Sequence, residues 1–309
     1  MNKPLLLKPA AKDYLWGGSR LNDDFGKAIQ LSTLAETWEC STHPDGQSLV
    51  AETGEPLGEL LNRHLDYLGS HPLHLTGGKA ELPILIKLID AKQDLSVQVH
   101  PDDEYAWKHE RSLGKTELWY VLAAKRDAEL VYGFRKDMSQ EQVKKAIREK
   151  RIEEDLNHIP VHKNEVFFVE AGTVHAVGAG VLLAEIQENS NVTYRLYDYD
   201  RVQSDPPVPR PLHIEKSIDV INVPHRDADR NTGGRPERLV SCEYYTVDKY
   251  VIENSREFVQ ERPFEIVSVI EGAGDIDGTK VKEGDSLIVP CDYGKYAVNG
   301  NISILITGV

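Results

Sequence analysis

The chain has 309 residues, 40% hydrophobic and 28% charged, with a formal net charge of −14. That composition is globular and supports a sizeable core in one or two domains. So acidic a surface argues against nucleic acid and anionic lipid as partners, and no run approaches the ~18 apolar residues of a membrane span.

The opening stretch, MNKPLLLKPAAKDYLWGG, carries only Leu5, Leu6 and Leu7 before a Lys-Pro pair, too short an apolar run for a secretion signal. Residues 56–68 place Leu57, Leu60, Leu61, Leu65 and Leu68 at helical spacing, with Gly69 as a stop. Strands are expected at 82–89, 95–100, 117–122, 128–134, 165–172 and 181–187. A charged surface helix is expected over 139–157, where Ser139 and Gln142 form a capping-box pattern. The proline-rich stretch 201–237 reads as an extended connection, with a domain boundary near residue 235. Further strands are expected at 239–252, 264–276 and 285–290. Cys40, Cys242 and Cys291 are scattered and odd in number, which predicts free thiols and a reducing, cytoplasmic setting.

A weak internal repeat crosses the expected boundary. ELWYVLAA (117–124) is similar to EIVSVIEG (265–272), and NEVFFVEAGTVHAV (164–177) is similar to GDSLIVPCDYGKYAV (284–298). His175 then falls opposite Tyr296. This predicts two related β-barrels, 1–235 and 236–309, of which only the first keeps polar ligands. An exposed edge on the second could pair, so the chain is expected to be a monomer or a homodimer.

Four potential metal ligands lie on three separated strand-like segments: Gln98 and His100 in LSVQVHP, Glu117 in GKTELWYVL, and His175 in VEAGTVHAV. Gln98 and His100 alternate with Val97 and Val99, so both point to one face of a strand. Pro101 ends that strand and Asp102 can cap a short helix through DDEYAW. Glu117 is a carboxylate in an apolar strand, costly to bury unless paired or metal-bound. Taken singly, each residue also has a plain structural reading: a solvated strand face, an exposed strand start, a core histidine. Together they form a mixed N/O set suited to zinc or another first-row divalent ion. An anionic substrate would need basic residues clustered at this site. Lys87 in LIKLI, Lys115 in GKTE and Arg195 in NVTYRLYD are the candidates.

QVHPDDEYA, GKTELWY, AGTVHAVGAG and NSNVTYRLYDYDR, with KPAAKDYLWGG and AETWECSTHPDGQS near the start, together resemble the short bacterial form of type I mannose-6-phosphate isomerases. The resemblance spans essentially the whole chain. It implies a mainly β fold of tandem cupin-type jelly-roll barrels with a few short helices. It implies interconversion of mannose 6-phosphate and fructose 6-phosphate by proton transfer through an enediol or enediolate, and a small sugar phosphate as partner. It implies one zinc ion per chain held by His100, Glu117 and His175, with Gln98 as a weaker donor. It places the family's active-site arginine on Arg195, its motif lysine on Lys115, and a serine of the phosphate end on Ser96. The proton-moving group stays open between Lys115, beside the cation, and a carboxylate such as Glu188.

Three departures from the family pattern stand out. Thr116 replaces a proline between Lys115 and Glu117. Glu170-Ala171-Gly172 stands where cupins often carry PxG. NVTYR is one residue longer than its counterpart, which bears on the approach of Arg195. Two other readings are a different cupin enzyme, such as an iron-dependent dioxygenase, and a non-catalytic sugar-binding cupin. Gln98 in place of a further histidine speaks against the first, and the complete ligand and cation sets against the second.

Overall fold

The computed structural model describes residues 3–203, 208–231 and 237–309, and short strands dominate it. Contacts divide the chain into two units: Met1–Lys12, Ser19–Leu88 and Gly233–Val309 in one, Asp13–Gly18 and Ile89–Thr232 in the other. The boundary expected near residue 235 lies outside the described residues. The units are not colinear with the chain, because two N-terminal segments join the C-terminal one.

The unit built on Ile89–Thr232 contains two groups of antiparallel strands. In one, Glu117–Ala124 is flanked by Val166–Val169 and Val181–Glu188. In the other, Val97–Val99 lies between His175–Val177 and Tyr194–Tyr197, and Glu129–Phe134 and Leu156–Pro160 continue the sheet. Strand alternation splits this second sheet chemically. Val97, Val99, Ala176, Tyr194 and Leu196 pack with Val143, Ala146, Ile147 and Ile218 in one core cluster. Those last four come from helices Gln140–Arg148 and Ile214–Val220. Each large aliphatic side chain buried there contributes about 1.5–3 kcal/mol. With the odd-numbered side chains of Val97–Val99 committed to that core, Ser96, Gln98 and His100 face the other way.

The other unit is built on Glu265–Ile276, which pairs with Ser286–Val289 on one side and Lys295–Gly308 on the other. Val267, Val269, Leu287, Val298, Ile304 and Ile306 belong to its core. The repeated segments thus form equivalent strands, in open sheets rather than closed barrels.

Three local expectations are corrected. The helix expected over 139–157 keeps its capping box but ends at Arg148; Lys150 turns left-handed (φ 55°), and Leu156–Pro160 is a strand. It also buries one face rather than only lying on the surface. The helix expected over 56–68 is a helix at Leu57–Arg63 and a 3-10 turn at Leu65–Tyr67, ending before Gly69. The connection 201–237 contains the helix Ile214–Val220, whose apolar residues are too few to announce it.

Candidate metal centre

His175 pairs directly with Gln98, and Gln98 pairs on its other side with Arg195. Directly opposed residues of neighbouring antiparallel strands share a face, with strands about 4.8 Å apart. A row His175–Gln98–Arg195 therefore crosses three strands, with Ser96 and His100 two residues either side of Gln98. Gly172 builds the turn before His175: its φ is 84°, a side chain would collide with Asn222, and its N–H donates to His100 O at 2.8 Å. That contact ties the two histidine-bearing segments together, so EAG performs the turn expected of it.

Glu117 enters from the other sheet. The ligand atoms of His100, Glu117 and His175 all lie within 4.8 Å of one another, and all three residues are buried. The His100 and His175 Nε2 atoms are 3.2 Å apart; Glu117 Oε1 is 3.3 Å from the first, and Oε2 is 3.7 Å from the second. Each imidazole has its Nδ1 at 2.8 Å from a backbone carbonyl, Val192 O for His100 and Thr173 O for His175. Carbonyl oxygens only accept, so each Nδ1 carries the proton and each Nε2 lone pair points at the shared centre. Burial, reinforced for His100 by the Lys115 ammonium, lowers both imidazoles below their usual range, His100 to about 3, so both are neutral.

Burial by itself would raise the Glu117 carboxyl, but the adjacent Lys115 ammonium holds it well below the usual carboxylate range. Lys115 Nζ lies 2.6 Å from Glu117 Oε1, an ion pair without hydrogen-bond alignment, and neither carboxylate oxygen has a hydrogen-bond partner. One ammonium at one oxygen leaves the other oxygen of a fully buried carboxylate uncompensated, a cost that a bound metal cation would remove. Two neutral imidazoles and an ionised carboxylate, with Gln98 Nε2 3.4 Å from His175 Nε2, fit a divalent N/O site. Rotation of the Gln98 amide would present its oxygen as a further donor.

Across the Glu117 strand, Gln187 opposes Glu117 and Glu185 opposes Trp119, so both share the ligand face. Glu185 accepts from Trp119 Nε1 at 3.1 Å and lies 4.0 Å from Lys115 Nζ. Glu188 falls on the opposite face by alternation and accepts the Thr116 N–H at 2.7 Å.

At the far end of the row, Arg195 Nε donates to Ser96 Oγ at 3.2 Å and Nη1 to Pro211 O at 3.1 Å. Burial and then the Arg210 guanidinium, with Arg201 adding to it, lower the Arg195 pKa against the opposing pull of Asp198. Arg201 and Arg210 both bind the Asp198 carboxylate. Three guanidiniums thus gather about the Asp198 carboxylate in a chain of net charge −14. Tyr199 and Asp200, in the turn that brings Arg201 back to Asp198, hold left-handed φ values of 55° and 51°.

A profile described as phosphomannose isomerase type I, catalytic domain, matches residues 5–115, and one described as mannose-6-phosphate isomerase, cupin domain, matches residues 236–308. The chain is 39% identical to the mannose-6-phosphate isomerase ManA of Bacillus subtilis (strain 168), over 99% of this chain and 98% of that one. The chain belongs to the type I mannose-6-phosphate isomerase family. The mannose-6-phosphate isomerase of Streptococcus mutans is 37% identical over 99% of this chain and 98% of its own. The crystal structure of the mannose 6-phosphate isomerase from Bacillus subtilis superposes with a TM-score of 0.89 at 36% identity, covering 99% of both chains. The fold is accordingly the cupin fold.

Within this member of the family, Gln98, His100, Lys115, Glu117 and His175 meet at one centre, and Ser96 and Arg195 meet beside it, two residues before Gln98 and on the neighbouring strand. The extra residue of NVTYR leaves Arg195 on the ladder, with a register shift between Arg195 and Tyr197. Lys87 belongs to the other unit, buried with its Nζ 3.9 Å from Glu36 Oε2 and 5.2 Å from the centre of the Trp38 ring. Sequence reasoning passed over Glu185, Arg201 and Arg210. Glu185 sat inside an expected strand (181–187), two positions before Gln187, and was readable from its alternation; Arg210 was hidden in a proline-rich connection.

Proposed function

We propose that the chain is a zinc-dependent aldose–ketose isomerase that interconverts mannose 6-phosphate and fructose 6-phosphate. The buried His100–Glu117–His175 cluster, with its unsatisfied carboxylate, carries the reading. A zinc ion held there would supply Lewis-acid stabilisation of the negative charge that develops on the sugar oxygens at C1 and C2.

The chain's own residues supply the rest. The isomerisation removes the proton on C2 of the open-chain aldose, protonates the C1 oxygen, and returns a proton to C1 as the C2 hydroxyl becomes the ketone. The net change is one hydrogen moved from C2 to C1 and one from the C2 oxygen to the C1 oxygen. Lys115 and Glu185 are the groups on the ligand face, outside the triad, that can hold these protons. Lys115 offers N–H donors beside the triad, and Glu185 offers a carboxylate held by Trp119. Glu188 faces away and is not assigned this role. Arg195 and Ser96, joined by Arg201 and Arg210, bind the phosphate, with Arg195 one strand from Gln98 and about two strand spacings from His175. That separation orients the sugar with its carbonyl end at the triad.

A coupled assay that starts from mannose 6-phosphate and uses glucose 6-phosphate isomerase reads the activity. Turnover abolished by a chelator and restored by zinc supports the reading; chelator-insensitive turnover, or none, overturns it.

A further inference from the structure

We infer that Asp103 and Glu188 form a one-proton clamp that positions Lys115 and Glu117 by holding the backbone amides on either side of Lys115. The inference builds on the role proposed for Lys115.

The segment Gly114–Lys115–Thr116 is gripped at each successive amide. Gly114 N–H donates to Asp103 Oδ1 at 2.7 Å, Lys115 N–H to Pro101 O at 3.0 Å, and Thr116 N–H to Glu188 Oε1 at 2.7 Å. Glu188 N–H returns a bond to Thr116 O at 3.3 Å, closing a two-way link. A side chain at position 114 would meet Asp102 C at 2.6 Å, so the segment runs directly against the start of helix Asp103–Glu110. Thr116 stands where the family pattern has proline, and proline has no N–H to offer Glu188. In this chain a side-chain hydrogen bond fixes a backbone that a ring would otherwise stiffen.

The two carboxyls grip amides two residues apart, Asp103 Oδ1 on Gly114 and Glu188 Oε1 on Thr116, and Asp103 acts on Glu188 as like charge and hydrogen-bond partner. Two ionised carboxylates in that position repel; one proton between them converts the repulsion into a hydrogen bond. Glu188 is buried, and Asp103 sits in the first turn of its helix, where negative charge is favoured. The proton therefore resides on Glu188, whose pKa burial and then Asp103 raise to about 8. From the helix Asp103 acts on Glu188 with its charge, and from the loop Thr116 contributes its amide and hydroxyl. The clamp touches no metal ligand directly. It acts through the backbone to hold Lys115 Nζ at 2.6 Å from Glu117 Oε1, and misplacements of about 1 Å can cost on the order of a hundredfold in rate.

The test compares wild type, Glu188→Gln and Glu188→Ala in steady-state kinetics with mannose 6-phosphate across pH 6–10. It adds a carbon-13 NMR titration of the Glu188 carboxyl, which needs no turnover. Glutamine keeps the acceptor for Thr116 and offers Asp103 a permanent N–H donor. Glu188→Gln is expected to hold kcat within about threefold at pH 7 and to lose the wild-type fall in kcat above about pH 8. Glu188→Ala is expected to lower kcat about tenfold with KM within about twofold. The titration is expected near pH 8, moving downward in Asp103→Asn. An ordinary carboxylate titration overturns the clamp whatever the activity. So does a Glu188→Gln variant that keeps the alkaline fall, or one that loses activity as far as a missing base would require. Absent turnover in wild type would instead sink the proposed function, with the titration still deciding the clamp.

Discussion

In one unit Glu117 pairs across the ladder with Val169; in the other Glu265 pairs with Val289. His175 pairs with Gln98, and Tyr296 pairs with Phe258. The two copies of the repeat thus place a buried carboxylate and its partner in the same register and differ in what surrounds them. Glu265 accepts a hydrogen bond from Tyr296 Oη at 2.8 Å and faces Arg262 Nη1 at 3.5 Å. Phe258 fills the position of Gln98 and stacks on Tyr296 with ring centres 5.4 Å apart. Gln260, placed as His100 is, donates to Pro290 O and accepts from the Tyr293 N–H. Burial raises the Glu265 carboxyl, whereas its neighbours hold Glu117 low. A cupin scaffold can therefore keep its register and its carboxylate while a phenol and an aromatic stack close the site internally. The difference between a ligand set and a core lies in three neighbouring side chains.

Removing the open carboxylate's partners is the most severe way to break this contrast. His100→Ala or Glu117→Ala is expected to lower kcat/KM on the order of a thousandfold or more and to lose stoichiometric zinc by elemental analysis. Full zinc retention would remove these residues from the ligand set. Lys115→Ala is next, with kcat reduced about a hundredfold and zinc retained, since it stands beside the ligands rather than among them. Arg195→Ala is expected to raise KM for mannose 6-phosphate about tenfold or more, with a smaller effect on a sugar lacking phosphate. In the closed copy, Tyr296→Phe leaves a buried carboxyl without its donor. It is expected to cost about 1–3 kcal/mol in chemical denaturation and to leave kcat unchanged.

A pH series sharpens the same comparison. The folded pKa values of His100 and His175 lie below the unfolded imidazole value, so the unfolded chain binds more protons there. The metal-free protein is therefore expected to keep this contribution above about pH 6.5 and to lose it as pH falls toward the folded values. Glu265 works in the opposite sense: its raised pKa makes the folded state the better proton binder, so its contribution weakens as pH rises above the ordinary carboxylate value. Denaturation midpoints of wild type, His175→Ala and Glu265→Gln across pH separate the two.

The chain's alternation, turn residues and capping box were enough to locate most strands, the Asp102-capped helix and all four ligand candidates. Those signals are local, because a side chain's face follows from its position along a strand. The repeat was also legible, and the structure gives it matching registers. The helix over 139–157 was read too long because charged residues carry little information about where a helix stops. Arg210 was missed because its importance depends on Asp198 and Arg195, which lie elsewhere along the chain.

By itself, then, the sequence determined which residues could face inward and which of the two copies could hold a metal. Only the tertiary structure decided that Glu117 would arrive from a second sheet with no hydrogen-bond partner. It alone brought Glu185 within 4.0 Å of Lys115 Nζ and gave Glu188 the Thr116 N–H as its partner. The physical reason is that alternation assigns faces within a strand, whereas the distance between two faces, the burial of a charge and the partner it finds depend on how separate strands pack.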